Sequence, residues 1–449
     1  MIQVSTEDIL LQKSQVFDNE CRVVLDSACT IGDGIIRFNN KERQRAYRAF
    51  RELDISPSFF IPASGSGSRM FNFLYEWIEL GKDTDVVSAF FNQFDLFPFA
   101  SLVKSRKHRA NIIHELLSES ELNYGEIPKG LIPFHVDNGK IYTAFQEHVR
   151  QAKLFLKNDV NVHFTIQKEF ENRILQNIKQ VSKDVKCSFS YQNRDSDAYC
   201  FDINKDPIVN GDSFLRRPAG HGAILSNLNE IDSDLILIKN IDNIQHITKA
   251  NLTEDIWGIL IGTLKNFQED ILNLSKSYTL DGLISLNSRY QFLSKQQINN
   301  FTESKFNHLK RRPTRVCGMV KNEGAPGGGP FWVNNKNNIT KQIVEDIQIS
   351  KSNQQQEILR NSSHFNPVFM VVCKTDIEGN KLNLLDFRDD SKYFVVEKTN
   401  KDIKMKYREL PGLWNGGMSD WNTIFVEIPS QVFSPVKTVL GLNNIAHKA

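Results

Sequence analysis

The sequence predicts an α/β fold, a three-layer arrangement around a mostly parallel sheet. Short apolar runs alternate with segments whose apolar residues recur at helical spacing, from about residue 58 to residue 239. Some of these runs, such as Asp234-Leu235-Ile236-Leu237-Ile238-Lys239, are apolar on both faces and read as fully buried strands. A chain of 449 residues with 40% hydrophobic content is also long enough for a large core, in one big domain with additions or in two to three domains.

Residues 1–56 read as an N-terminal helical segment. Thr6-Glu7-Asp8-Ile9-Leu10-Leu11 looks like a helix start, and Asn40-Lys41-Glu42-Arg43-Gln44 opens another before Ala46, Phe50 and Leu53. Pro57 breaks the pattern, and Phe59-Phe60-Ile61 reads as a strand running into a loop of small residues. Residues 71–127 read as a helical insertion with aromatic faces, including Phe90, Phe91, Phe94, Phe97 and Phe99. The α/β core, 57–70 and 128–335, resumes with strands at 130–134, 160–166, 187–191 and 234–239. Helices fall at 141–156, 168–181 and 223–228, and a further helical stretch spans 251–312. There Ile256, Ile259, Leu260, Leu264, Phe267, Ile271 and Leu272 form a stripe that reads as core packing. Residues 336–449 form a β-rich C-terminal region with strands at 368–373, 393–397 and 423–428.

Charge is nearly balanced at +2, so electrostatics offers no case for nucleic acid as a partner. The clusters Lys104-Ser105-Arg106-Lys107-His108-Arg109 and Lys310-Arg311-Arg312 read as solvated surface. Six scattered cysteines contain no CxxC pair and no zinc spacing. No signal-peptide architecture and no apolar run near the roughly 18 residues of a membrane span occurs. A cytoplasmic protein with no membrane partner is expected.

Two places could carry chemistry. In Pro62-Ala63-Ser64-Gly65-Ser66-Gly67-Ser68-Arg69-Met70, small residues after a strand leave backbone N–H groups free, so a phosphate can approach closely. Arg69 can fork onto its oxygens. No Gly-Lys-Ser/Thr follows as in a Walker A loop, and Met70 stands where a dinucleotide fingerprint has its third glycine. A plain βα turn is the other reading. The second place is Pro128-Lys129-Gly130-Leu131, whose lysine, taken alone, reads as an ordinary turn residue.

Together these stretches resemble the signature of the sugar nucleotidyltransferases, a Gly-x-Gly-Thr-Arg loop followed by Pro-Lys. The Pro-Lys-Gly form is closest to the UDP-N-acetylhexosamine and UDP-sugar pyrophosphorylases. Pro218-Ala219-Gly220-His221-Gly222 resembles their base-facing loop. Lys239-Asn240-Ile241-Asp242-Asn243 resembles their strand end at the ribose, sugar phosphate and metal. Glu397-Lys398-Thr399-Asn400 is similar to a late Lys-Asn whose lysine contacts phosphate. Ser64 and Ser68 depart from that pattern, and 58 residues separate Arg69 from Pro128 where those enzymes have a handful. Nearly the whole chain also resembles an uncharacterised bacterial family, domain of unknown function 4301. The hallmarks are Val316-Cys317-Gly318-Met319-Val320-Lys321-Asn322-Glu323-Gly324, Pro326-Gly327-Gly328-Gly329-Pro330-Phe331 and Leu410-Pro411-Gly412-Leu413-Trp414-Asn415-Gly416.

The enzyme resemblance implies a nucleotidyltransferase (Rossmann-like) sheet, with 336–449 completing the sugar side of a cleft. It implies attack by a sugar 1-phosphate on the α-phosphorus of a nucleoside triphosphate, UTP favoured, with release of pyrophosphate. The nucleophile is already an anion, so alignment and charge neutralisation are what the protein must supply. Arg69, Lys129 and Lys398 are then the catalytic candidates. Ala63, Ser64, Gly65, Ser66, Gly67, Ser68, Gln192, Gly220, His221 and Gly222 are the nucleotide-binding ones. Asp242 would hold Mg²⁺, which takes only one or two protein oxygens. Asn243 would meet the sugar. Apart from the resemblance, the glycines after Asn322-Glu323 imply close backbone approach, to a sugar ring with Asn322, Glu323 and Gly324, and His364 and Asn366 form an aromatic-plus-amide grouping that could line a sugar pocket or be an ordinary Asn-Pro turn.

His221 could equally be a loop histidine satisfied by backbone, Asp242-Asn243 a strand-capping turn, and the glycines after Glu323 a tight turn. Two rival functions remain open: a non-catalytic nucleotide-sugar binding protein, and another phosphate-using carbohydrate enzyme.

Overall fold

The structure is a computed structural model and describes residues 6–18, 22–53, 56–156, 159–182, 184–324, 328–335, 338–400 and 403–449. Of the residues singled out above, Pro326 and Gly327 lie outside the described residues. The chain divides into two compact units. The first comprises Met1–Glu52, Gln192–Leu235 and Ile259–Ile428, and the second Leu53–Tyr191, Ile236–Gly258 and Pro429–Ala449.

The second unit is built on parallel strands in the order Leu235–Lys239, Ser58–Pro62, Asn161–Ile166 and Lys186–Tyr191. Phe60, Ile61, Val162, Phe164, Ile236, Leu237 and Ile238 are all fully buried, as parallel strands covered on both faces require. Helices Ala144–Leu156 and Glu171–Lys179 pack on each other. The stretch 71–127 is helical as expected, with helices Ser68–Leu80, Asp85–Asn92 and Arg109–Leu117. Its core is aromatic: Phe97 stacks on Phe90 and on Phe99, each at 5.2 Å, and Phe71 stacks on Tyr124 at 6.1 Å.

In the first unit, Thr30–Ile31, Gly34–Ile36, Asn422–Glu427 and Thr314–Lys321 run parallel, and Phe369–Cys373 lies antiparallel beside the last. A separate antiparallel sheet pairs Val24–Ala28, Gly329–Asn335 and Asn338–Val344. A long hairpin joins Phe394–Asn400 to Ile403–Glu409.

Both units therefore contain a parallel β-sheet core; in the first unit antiparallel pairs are added around it. Three expectations need correction. The helix expected at 141–156 begins at Ala144, because Lys140–Thr143 is a strand paired antiparallel with Pro133–Asp137. The stretch 1–56 is helical only in Thr6–Phe17 and Asn40–Arg51; three short strands lie between. Gly32 and Gly34 take positive φ there, 85° and 95°, so the chain turns tightly between two-to-three-residue strands too short to show a period. In the helix Ala250–Ser275 the predicted stripe is buried except at Leu272, which is 37% exposed.

Candidate functional site

The strand Ser58–Pro62 ends in a proline, and the small residues after it turn the chain into the helix Ser68–Leu80. Ala63 N–H donates to Thr165 O and Gly67 N–H to Ile127 O, both at 2.9 Å. Between them, the N–H groups of Ser64, Gly65 and Ser66 donate to no backbone carbonyl among the described residues. A Cβ at Gly65 would meet nothing within 4 Å, so that face is open. Gly67 differs: a Cβ there would collide with the Tyr124 carbonyl oxygen and the Ile132 side chain. The expectation that Gly67 itself cradles phosphate is corrected on this ground, since its N–H is committed and its place is set by packing. The Ser66 and Ser68 hydroxyls lie 3.0 Å apart.

The insertion does not separate this loop from Lys129. Ser66 and Pro128 form an antiparallel bridge, and Lys129 N–H donates to Gly65 O at 2.9 Å. The chain leaves at Ser68 and returns at Pro128 to neighbouring points. Arg69 is exposed, in the first turn of its helix, with no hydrogen bond or ion pair among the described residues. Its charge acts on Lys129.

Asp242 follows the strand Leu235–Lys239, whose end lies beside the end of Ser58–Pro62: Ile241 N–H donates to Pro62 O at 3.4 Å. The Lys129 ammonium donates to Asp242 Oδ2 at 3.0 Å and to the Val436 carbonyl at 2.6 Å. Lys437 reaches the same Oδ2 at 3.4 Å. Burial would raise the Asp242 carboxyl, but the two ammonium groups outweigh it and hold it below the usual carboxylate range. Burial lowers the Lys129 ammonium, with Asp242 acting against it. Asn243 is buried, and its side-chain oxygen accepts from Ser434 N–H at 2.9 Å, so it clamps the C-terminal segment.

The remaining candidates lie in the first unit. Gly220 has φ 75°, and a Cβ on it would strike the Glu409 carboxylate; one on Gly222 would strike the Pro411 carbonyl. The two sequence motifs, 218–222 and 410–416, therefore pack against each other. The His221 ring stacks on Trp414 at 4.2 Å, accepts from Leu413 N–H through Nδ1 at 3.0 Å, and places Nε2 3.4 Å from Glu345. Burial raises the Glu345 carboxyl, but bonds to His221 and Trp414 prevail and its pKa is lowered. Burial keeps Glu409 raised. Asn415 lies in the same cluster: its Nδ2 donates to Ile343 O at 3.0 Å, and its Oδ1 is buried without a hydrogen-bond partner among the described residues.

Asn366 is near this cluster, since its N–H donates to Gly328 O at 2.8 Å and a Cβ on Gly328 would lie 3.6 Å from Glu345. Its own side chain, however, accepts from Val368 N–H at 3.1 Å and supports that residue at φ 57°. His364 points to Glu427 at 3.4 Å, and Glu427 is held in turn by Arg37. Asn322 bonds Gly324 N–H at 3.0 Å and closes the turn there, while Glu323 is exposed. Lys398 is exposed on the hairpin, 5.8 Å from the Tyr407 ring. Gln192 has a buried amide nitrogen without a hydrogen-bond partner among the described residues. The residues that sequence reasoning missed are Lys437, Glu345 and Glu409. Each is an ordinary charged residue far along the chain from its partner, with no local pattern to mark it.

The family described as "Domain of unknown function (DUF4301)" matches residues 2–448. No curated protein matches the sequence. Among solved structures, a protein described as a UDP-N-acetylglucosamine pyrophosphorylase from Entamoeba histolytica aligns at TM-score 0.44 and 14% identity, over 88% of this chain and 79% of that one. A UDP-glucose phosphorylase from Trypanosoma brucei aligns at TM-score 0.44 and 12% identity, over 95% and 71%.

Proposed function

The chain belongs to the family described as Domain of unknown function (DUF4301), whose description assigns no activity, and from the site itself we propose that it transfers a nucleotidyl group from a nucleoside triphosphate to a sugar 1-phosphate. The observation that carries this reading is the junction of the Gly65 loop with Lys129, made by the Ser66/Pro128 bridge and the Lys129–Gly65 hydrogen bond. It puts three N–H groups that donate to no backbone carbonyl among the described residues beside an ammonium, with Arg69 exposed at the start of the adjoining helix. Such a set binds a polyanion and neutralises charge that grows on phosphoryl oxygens.

In this reading Ser64, Gly65 and Ser66 orient the triphosphate through backbone N–H groups. Arg69 and Lys129 hold its oxygens and the departing pyrophosphate. No general base is needed, because the sugar phosphate attacks as an anion. Asp242 suits Mg²⁺ that arrives with the triphosphate, since one carboxylate oxygen suffices for that ion and only Oδ2 is engaged by the lysines. When bound, the ion would supply further charge neutralisation. The nucleotide-binding roles of Gly220, His221 and Gly222 are a separate proposal about the first unit, tested by nucleoside binding to His221→Ala. A binding protein without turnover is the second reading, favoured by the anchoring of Lys129 to Asp242 and to Val436 O.

The test is incubation with each nucleoside triphosphate, UTP foremost, with Mg²⁺ and a panel of sugar 1-phosphates, reading pyrophosphate release. Arg69→Ala and Lys129→Ala should each lower the rate about a hundredfold, or about 3 kcal/mol. Product formed at full rate by both variants would overturn the site. Nucleotide binding with no release from any pair would favour the second reading.

A further inference from the structure

The C-terminal segment of the second unit brings a lysine to the phosphate site that no motif marks. Val436 N–H donates to the Asp242 carbonyl at 3.1 Å, and Asn243 forms a bridge with Pro435 and accepts from Ser434 N–H. Lys129 donates to Val436 O. The backbone of 434–436 is thus fixed to the end of the strand Leu235–Lys239 and to Lys129 from several directions, which sets where Lys437 begins. Its ammonium then meets Lys129 on one carboxylate oxygen.

We infer that Lys437 is a third phosphate-binding cation, paired with Lys129 across Asp242 and delivered to the site by the C-terminal segment. Two ammonium groups on a single carboxylate leave an excess of positive charge that the carboxylate does not cancel. With Arg69 the group carries three positive charges against one negative. Solvent screens the two exposed cations, and an anion bound here would meet all three positive charges. The Lys437 side chain is 58% exposed, so it can turn from Asp242 to a ligand without breaking packing. Lys129, 13% exposed and bonded to Val436 O, is the fixed member of the pair. Asp242 is in this view a positioning residue for both lysines.

The inference rests on the phosphate-binding reading above, and the experiment separates the two. Inorganic tripolyphosphate is titrated by calorimetry into the full chain and into Lys437→Ala, Lys437→Arg and Lys129→Ala, with exposed Lys140→Ala as control. Lys437→Ala should weaken binding roughly ten- to hundredfold, and Lys437→Arg should recover most of it. The salt dependence of binding should be shallower in Lys437→Ala, as a direct charge contact requires and a structural role does not. If Lys437→Ala binds like the parent while Lys129→Ala is impaired, Lys437 is an ion-pair residue only and the inference fails, with the phosphate site intact. If the parent itself does not bind tripolyphosphate, the phosphate site and the inference fail together.

Discussion

Gly65 and Gly67 stand two residues apart in one loop and meet different demands. A methyl on Gly65 enters open space, so Gly65→Ala should change stability by less than about 0.5 kcal/mol, while its bulk over the open N–H groups weakens tripolyphosphate binding. A methyl on Gly67 meets the Tyr124 backbone, so Gly67→Ala should cost about 1–3 kcal/mol. Chemical denaturation of both variants beside anion titration checks the pair; equal stability losses would contradict it. The residues around this loop are partly legible in the sequence. Pro-Lys and the glycine run are local signals, and local signals survive in sequence. Lys437 and Glu345 were not legible, because each acquires meaning only through a partner far along the chain: Asp242 for one, His221 for the other. His364 and Asn366 show the converse. They look like sugar-pocket residues in sequence, yet one is committed to Glu427 and the other to Val368.

The insertion is the element on which the loop depends. Its last residues back Gly67 through Tyr124 and Ile127, and its interior is the aromatic cluster around Phe97. Phe97 is 3% exposed, so Phe97→Ala should cost on the order of 3–5 kcal/mol through lost burial and an unfilled cavity. Loosening of the 124–128 return should weaken tripolyphosphate binding as well, although Phe97 is not itself a candidate site residue. Phe97→Leu, which retains most of the volume, should lose less of both. Retained affinity in a clearly destabilised Phe97→Ala would show that the loop holds its shape without the insertion. The helices of this element were readable from apolar spacing and strongly so from its phenylalanines. Where its ends meet was not, since Gly65 and Lys129 are joined by backbone bonds that leave no trace in residue type. The strands Thr30–Ile31 and Gly34–Ile36 escaped for a different reason: two or three residues cannot display alternation.

At the scale of the molecule, the two units carry different burdens of buried imidazole, and this sets their response to acid. In the second unit His135 Nε2 and His447 Nδ1 lie 3.0 Å apart, both rings are buried, and His246 lies 5.4 Å from His135. One ring must donate and the other accept, so a proton on the acceptor breaks the bond and places charge in the interior. Burial lowers His447 to about 3, with His135, Lys448 and His246 adding to the effect and a bond to the Ser434 backbone opposing it. Burial also lowers His135, against Glu147 at 3.5 Å and with His246 and Arg150 alongside. A histidine whose folded pKa is depressed leaves the unfolded chain binding more protons below about pH 6.5, so stability falls as pH drops through that value and keeps falling towards the folded pKa. His447 alone should contribute up to about 1.4 kcal/mol per pH unit, or about 2 kcal/mol by pH 5. Glu147, lowered overall although burial opposes it, loses its contribution only at more acid pH, through the carboxylate range. Hydrogen exchange from pH 7 to pH 5 should therefore show protection falling first in the strands Ser58–Pro62 and Asn161–Ile166, ahead of Thr314–Lys321 and Asn422–Glu427. His447→Asn should reduce the slope of that loss whatever it does to stability at pH 7, because the slope counts protons and the intercept counts contacts. An unchanged slope in that variant would mean that the acid sensitivity of this unit arises elsewhere than in the paired imidazoles.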